Sequence, residues 1–206
     1  MRALHEFAIR VNPEARAWLT SDLNQMNVEA AHEVLVEELR TLVDANTRMV
    51  DALGNFPHSG LNPTVGEASA RIASSALRQV ALLESIFQRL DVPSAGGHSS
   101  GARGILIEFD EIGPLAAGSE SHNLDARVMP LLRKLLAYRT ASLKSLLITA
   151  HAATFGFVEG TLMDALKLDL EEEDFLDEIC SPVLRLDFAN SREEIVDSIN
   201  ELTPTH

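Results

Sequence analysis

The most regular pattern in the chain lies between Asn27 and Gly54. Leu35, Leu39, Leu42, Met49 and Leu53 recur at steps of four and three, with one slot left over. That spacing is one face of an amphipathic helix. Asn27 is placed to cap its start, and Gly54 follows its end near Leu53. The leftover slot holds Asn46, so the pattern predicts an amide on the buried face. Asn62-Pro63 repeats a start signal, an Asn cap with Pro at the first helical position. The helix it opens runs to about Leu90, with Val65, Ile72, Leu83 and Ile86 near one face and Ser75 and Gln79 inside the same stripe.

Residues 91–101 (DVPSAGGHSSG) have the composition of a loop. A shorter helix follows from Ala102 to Ile112. On it Ile105, Glu108 and Ile112 share a face, which points a carboxylate inward. Gly113 to Asn123 reads as a second loop. From Pro130 to Leu168 the periodicity is helical with no stop signal, and Gly156 and Gly160 are the places for a bend. The acidic run Glu171 to Asp174 opens another short helix, which Pro182 ends or kinks. Ser191 and Glu194 form a capping box for a last helix, Arg192 to Leu202. Ahead of all this, Leu4, Phe7, Ala8 and Val11 fit a helix while Phe7, Ile9 and Val11 fit a strand, and Asn12-Pro13 starts a short helix to Leu23. The expected architecture is all-α: an N-terminal helical extension at 1–26, a helical bundle at 27–169 and a C-terminal helical segment at 170–206.

Composition narrows the function classes. Apolar residues make up 46 % of the 206 and aromatics only 5 %, a mix that favours helices. The formal net charge of −14 repels a phosphate backbone. The basic residues are scattered apart from a loose group at Arg133, Lys134 and Arg139, so nucleic acid is not an expected partner. Cys180 is alone, which excludes an internal disulfide and a cysteine zinc site. No leader-like or membrane-spanning apolar run is present, so the expected compartment is the cytoplasm, with no membrane contact. There is no phosphate-binding or dinucleotide motif.

Four strings occur in order: EELRTLVDANTRMVDAL, LRQVALLESIFQRLD, ARGILIEFDEI and FVEGTLMDALKLD. Between Glu37 and Asp169 they resemble the ferritin-like family of the YciE/YciF type, small stress-associated bacterial proteins. The resemblance implies a ferritin-like up-and-down four-helix bundle, extended at both ends, with carboxylates and histidines pointing inward to hold two metals. Position by position this chain departs from that pattern. Asn46 stands where a Glu is implied, and Val43 where an aromatic precedes it. Ile72 and Ser75 stand where a His and a Glu are implied. Thr149 to Ala152 offers only His151, and the last carboxylates fall at Ser181-Pro182. Glu108 alone matches an implied ligand.

One Glu and one His do not hold two hard cations. The expectation is therefore a degenerate metal site without cofactor, whose residual inward polar positions are Asn46, Ser75, Gln79 and Glu108. If any metal binds, Glu108 and His151 are its ligands. The expected function is a non-enzymatic, metal-free scaffold that works through protein–protein contact in a stress-related context, as a homodimer or with an unidentified protein partner. Two alternatives stay open: an iron or manganese storage or oxidase protein with a rebuilt site, and an acidic inhibitor or immunity-type protein that binds a basic partner.

Overall fold

The computed structural model describes residues 28–57, 60–117 and 123–202. The N-terminal extension expected at 1–26, with its Asn12-Pro13 start, lies outside them. The described residues form five helices and no strand: α1 (Val28–Asn55), α2 (Pro63–Leu90), α3 (Ser100–Ala117), α4 (Leu124–Ala152) and α5 (Gly156–Leu202). None is long and apolar enough to cross a membrane.

The expected start of α2 is present. The Asn62 side chain accepts from the Thr64 backbone N–H at 2.9 Å, and Pro63 fills the first turn, where its missing N–H costs nothing. The Asn62 N–H in turn donates to the Asp125 carboxylate at 3.0 Å, which ties the start of α2 to the start of α4. Asp91, in the left-handed region at φ +56°, ends α2. The segment after it is held on α1: Arg40 Nε donates to Pro93 O, and Ser99 N donates to Asp44 Oδ2. Gly97 lies so close that a Cβ there would sit 2.1 Å from the Arg40 carbonyl oxygen.

Three expectations about helix ends are corrected. The rod expected from Pro130 to Leu168 is broken after Ala152 by a tight reversal at Ala153–Phe155, with Thr154 left-handed at φ +61°. The reversal brings Phe155 and Val158 against the same apolar cluster as Leu147 and Ala150. At the other end, Pro182 neither ends nor separates a helix. The acidic run, Pro182 and the Ser191–Glu194 box all lie inside α5, which runs unbroken to Leu202 and passes through the boundary expected at 169/170. Pro182 and Glu178 are exposed, so the carbonyl that loses its donor faces water, while Ile179 and Val183 stay buried on the opposite side. Likewise α3 continues through Gly113 and Pro114 to Ala117 instead of stopping at Ile112.

α1, α2, α5 and α4 pack in a ring, each on the next, while α3 lies on α1 and α4 on the side away from α5. The contacts Arg139–Asp169 and Arg133–Asp177 run in opposite directions along the two chains, so α4 and α5 are antiparallel. The enclosed core is two apolar clusters. One gathers Leu39, Leu42, Leu83, Phe87, Leu143 and Leu162. The other gathers Met49, Phe56, Ile72, Phe109, Leu132 and Leu176.

Candidate functional site

The two clusters meet at a layer of buried polar side chains. On α1 it falls at Asn46, between Leu42 of one cluster and Met49 of the other. On α2 it spans Ser75 and Gln79, on α4 Arg139, and on α5 Asp169, each with apolar neighbours from one cluster on one side and from the other cluster on the other. All five are fully buried.

Arg139 organises the layer. Its Nη2 donates to an Asp169 carboxylate oxygen and, at 2.8 Å, to Ser75 Oγ, while Nη1 donates to the Ile72 carbonyl at 3.2 Å. One guanidinium thereby joins three helices, using the planar fork that suits arginine to such a position. Gln79 Nε2 donates to Asp169 Oδ1 at 2.7 Å and to the Ala165 carbonyl at 3.0 Å. Ser75 Oγ passes its own proton to Ile72 O at 3.0 Å. The layer is not saturated: both polar atoms of the Asn46 amide, Gln79 Oε1, Arg139 Nε and Asp169 Oδ2 make no hydrogen bond among the described residues.

Burial weakens both charges of the pair. It pushes the Asp169 carboxyl up to about 6, against the pull of Arg139 and Gln79 and with added repulsion from Glu173. Burial likewise lowers Arg139, and the attraction of Asp169 and Glu172 only partly offsets it. The neighbouring carboxylates on α5 are already engaged. Glu172, nearly buried, takes the Arg71 guanidinium at 2.8 Å, and Arg71 also lies over the Phe175 ring at 3.9 Å. Glu173 accepts from Thr140 Oγ1 at 2.8 Å.

Asn46, Ser75 and Gln79 thus stand inward as their spacing predicts. Glu108 does not, and that expectation is corrected. The buried line of α3 is Ala102, Leu106 and Phe109, which leaves Ile105 and Ile112 on its flank and turns Glu108 to solvent. There its carboxylate meets Lys134 Nζ at 2.6 Å. His151 is also exposed, with 82 % of its side chain accessible and Nδ1 3.4 Å from Glu159. It lies seventeen residues beyond Lys134 on α4, about 25 Å along the helix, so Glu108 and His151 do not meet over one ion. Among the described residues no cluster of three or more His, Cys, Asp or Glu side chains has metal-binding geometry.

The two residues that sequence reasoning missed, Arg139 and Asp169, carry the layer. Their signal is present in the spacing. Leu132, Leu136, Leu143 and Leu146 leave one slot, filled by Arg139, and Leu162, Ala165 and Leu176 leave slots filled by Asp169 and Glu172. Grouping Arg139 with Arg133 and Lys134 as a basic surface hid it.

The profile of one family, described as "Domain of unknown function (DUF892)", matches residues 30–199. Among solved structures the chain is similar to YcfI from Rhodopseudomonas palustris, titled a candidate structural protein. Identity is 17 %, the match covers 74 % of this chain and 96 % of that one, and the TM-score is 0.65. At that identity the likeness speaks for the fold alone. No curated protein matches this sequence.

Proposed function

This chain belongs to the DUF892 family, and from that premise we propose that it is a metal-free, non-enzymatic scaffold of ferritin-like build that works through its surface. The observation that supports this reading most is the resident cation of the polar layer. A ferritin-like bundle holds its metals by inward carboxylates and histidines contributed from facing helices. Here the corresponding mid-bundle layer offers Asn46, Ser75, Gln79 and one carboxylate, and Arg139 already neutralises that carboxylate. A divalent ion entering the layer would meet a guanidinium, two amides, a hydroxyl and a single carboxylate that the guanidinium already holds. Iron and manganese require several anionic oxygens or imidazoles, so the donor set does not fit the group that the ferritin-like resemblance implies. The stress-related context rests on the resemblance to the YciE/YciF type.

The test is elemental analysis of protein purified without chelator, followed by titration with iron(II) and manganese(II). The expected result is metal well below stoichiometric and a melting temperature that neither ion raises. Tight binding of about one or two equivalents with a rise in melting temperature would overturn the reading, because a ligand that prefers the folded state stabilises it.

A further inference from the structure

We propose that the polar layer at mid-bundle is a hydration site, in which ordered water completes the hydrogen bonds of Asn46, Gln79, Arg139 and Asp169 and ties α1 to the other three helices of the ring. The inference goes beyond the scaffold reading above, since it names what the layer holds.

The unmet groups are specific. Arg139 uses both Nη groups, on Asp169, Ser75 and the Ile72 carbonyl, and keeps Nε without a partner among the described residues. Gln79 is oriented by its partners. Its Nε2 faces the Ala165 carbonyl and the Asp169 carboxylate, both acceptors, so the amide cannot be turned over and Oε1 is the free end. Asp169 takes Gln79 and Arg139 on Oδ1 and leaves Oδ2 open, and Asn46 uses neither end of its amide. All four side chains are fully buried. Bulk solvent does not reach them, and a buried polar group without a partner loses its hydration with no bond in exchange.

These groups share one level of the bundle. Leu42 and Met49 flank Asn46 on α1, Leu83 and Ala76 flank Gln79 on α2, and Leu143 and Leu136 flank Arg139 on α4. In each pair the first leucine belongs to one apolar cluster and the second residue to the other. α1 packs on both α2 and α4, so Asn46 stands between the helices that carry Gln79 and Arg139. Direct hydrogen bonds join α2, α4 and α5 across the layer. α1 brings a buried amide to it and, among the described residues, no direct bond.

The chemistry of the leftover atoms selects the occupant. Asn46 Nδ2 and Arg139 Nε need acceptors, while Asn46 Oδ1, Gln79 Oε1 and Asp169 Oδ2 need donors. A cation would face the guanidinium and the amide N–H groups. An anion would face the carboxylate and two amide oxygens. An apolar group would satisfy none of them. Water donates and accepts alike, and a buried water makes about three hydrogen bonds, so about two molecules cover the set.

The test is a crystal structure of the wild type at a resolution that shows ordered water, beside the same structure of Asn46→Leu. Oxygen-17 relaxation dispersion counts the long-lived waters of both in solution. In the wild type, water density is expected within ~2.7–3.2 Å of the Asn46 amide and of Gln79 Oε1, Arg139 Nε or Asp169 Oδ2. Asn46→Leu fills the place of the amide without polar atoms and should lose water from the layer, with an equal fall in the long-lived count. Asn46→Ala opens room and should keep the water or add to it, and it decides the matter if Asn46→Leu does not fold. An Asn46 amide bonded directly to Arg139 or Gln79, with no density between them, overturns the proposal. So does density with the anomalous signal of a metal or the shape of a larger molecule, a long-lived count that Asn46→Leu leaves unchanged, or one that Asn46→Ala lowers. Metal bound elsewhere would overturn the scaffold reading and leave this one standing, and a dry layer without metal would do the reverse.

Discussion

Arg139 and Asp169 show what burial does to a charge pair. Each ion gives up its hydration, and the attraction between them does not fully repay the loss, which is why Asp169 is pushed up to about 6 and Arg139 is lowered. Linkage fixes the sign of the pH dependence. The folded Asp169 holds its proton more tightly than the unfolded chain, whose value is near 3.8. Its contribution to stability is therefore complete below about pH 4 and lost as pH rises through about 6. The groups that set this are Arg139 on α4, Gln79 on α2 and Glu173 on its own helix, with Glu172 acting on Arg139 while held by Arg71. The comparison that isolates Asp169 is with Arg139→Met/Asp169→Leu, which shares every other titrating group. In chemical denaturation the wild type should gain on that variant by about 2 kcal/mol between pH 7 and pH 4. An unchanged difference would mean that Asp169 titrates alike in both states. At this scale Asn46, Ser75 and Gln79 were legible, because a polar residue in an otherwise apolar stripe is visible without a structure. Glu108 was misplaced by one helical position, since Ile105 and Ile112 define a flank as convincingly as a core.

The helices themselves were legible where their ends carry side-chain chemistry. The Asn62-Pro63 start follows from its cap and the extent of α1 from its stripe, while Asn27, the expected cap of α1, lies outside the described residues. The break near Gly156 was legible as a bend, but not as a full reversal at Ala153–Phe155, because Ala, Thr and Phe are all compatible with a continuing helix and the docking of Phe155 and Val158 on the core accompanies the turn. The unbroken α5 was hidden for the opposite reason: Pro182 is a strong local breaker, overridden where the freed carbonyl faces water and the other face is buried. Connections matter at this scale as well. Gly97 lets the 91–99 segment lie directly on α1, and an added methyl would strike the backbone of Arg40 and not a side chain that can move aside. Gly97→Ala should therefore cost more than about 2 kcal/mol, well beyond an ordinary surface substitution. The check is urea denaturation, with Gly104→Ala, which meets nothing within 4 Å, as the control. Equal stability of the two variants would mean that the segment shifts freely.

As a whole the molecule is two apolar halves joined through one polar layer, with three of the four ring helices linked across it by a single guanidinium. Such a layer need not add stability. Its removal by well-packed apolar residues is often neutral or favourable, whereas removal of one partner strands a charge. The asymmetry between the partners sharpens the point: Asp169 can take up a proton when Arg139 is gone, but a guanidinium left without Asp169 cannot release one.

In the proposed reading this layer is held by a structural ion pair and is not the remains of working chemistry. The measurement that tests it most directly is the double-mutant cycle on Arg139 and Asp169 at neutral pH, read as unfolding free energy. Asp169→Leu should lose about 3–5 kcal/mol and Arg139→Met less, while the double variant should match the wild type or exceed it by about 1–4 kcal/mol. A double variant that loses the sum of the two single losses would contradict it, because the two side chains would then be doing separate work.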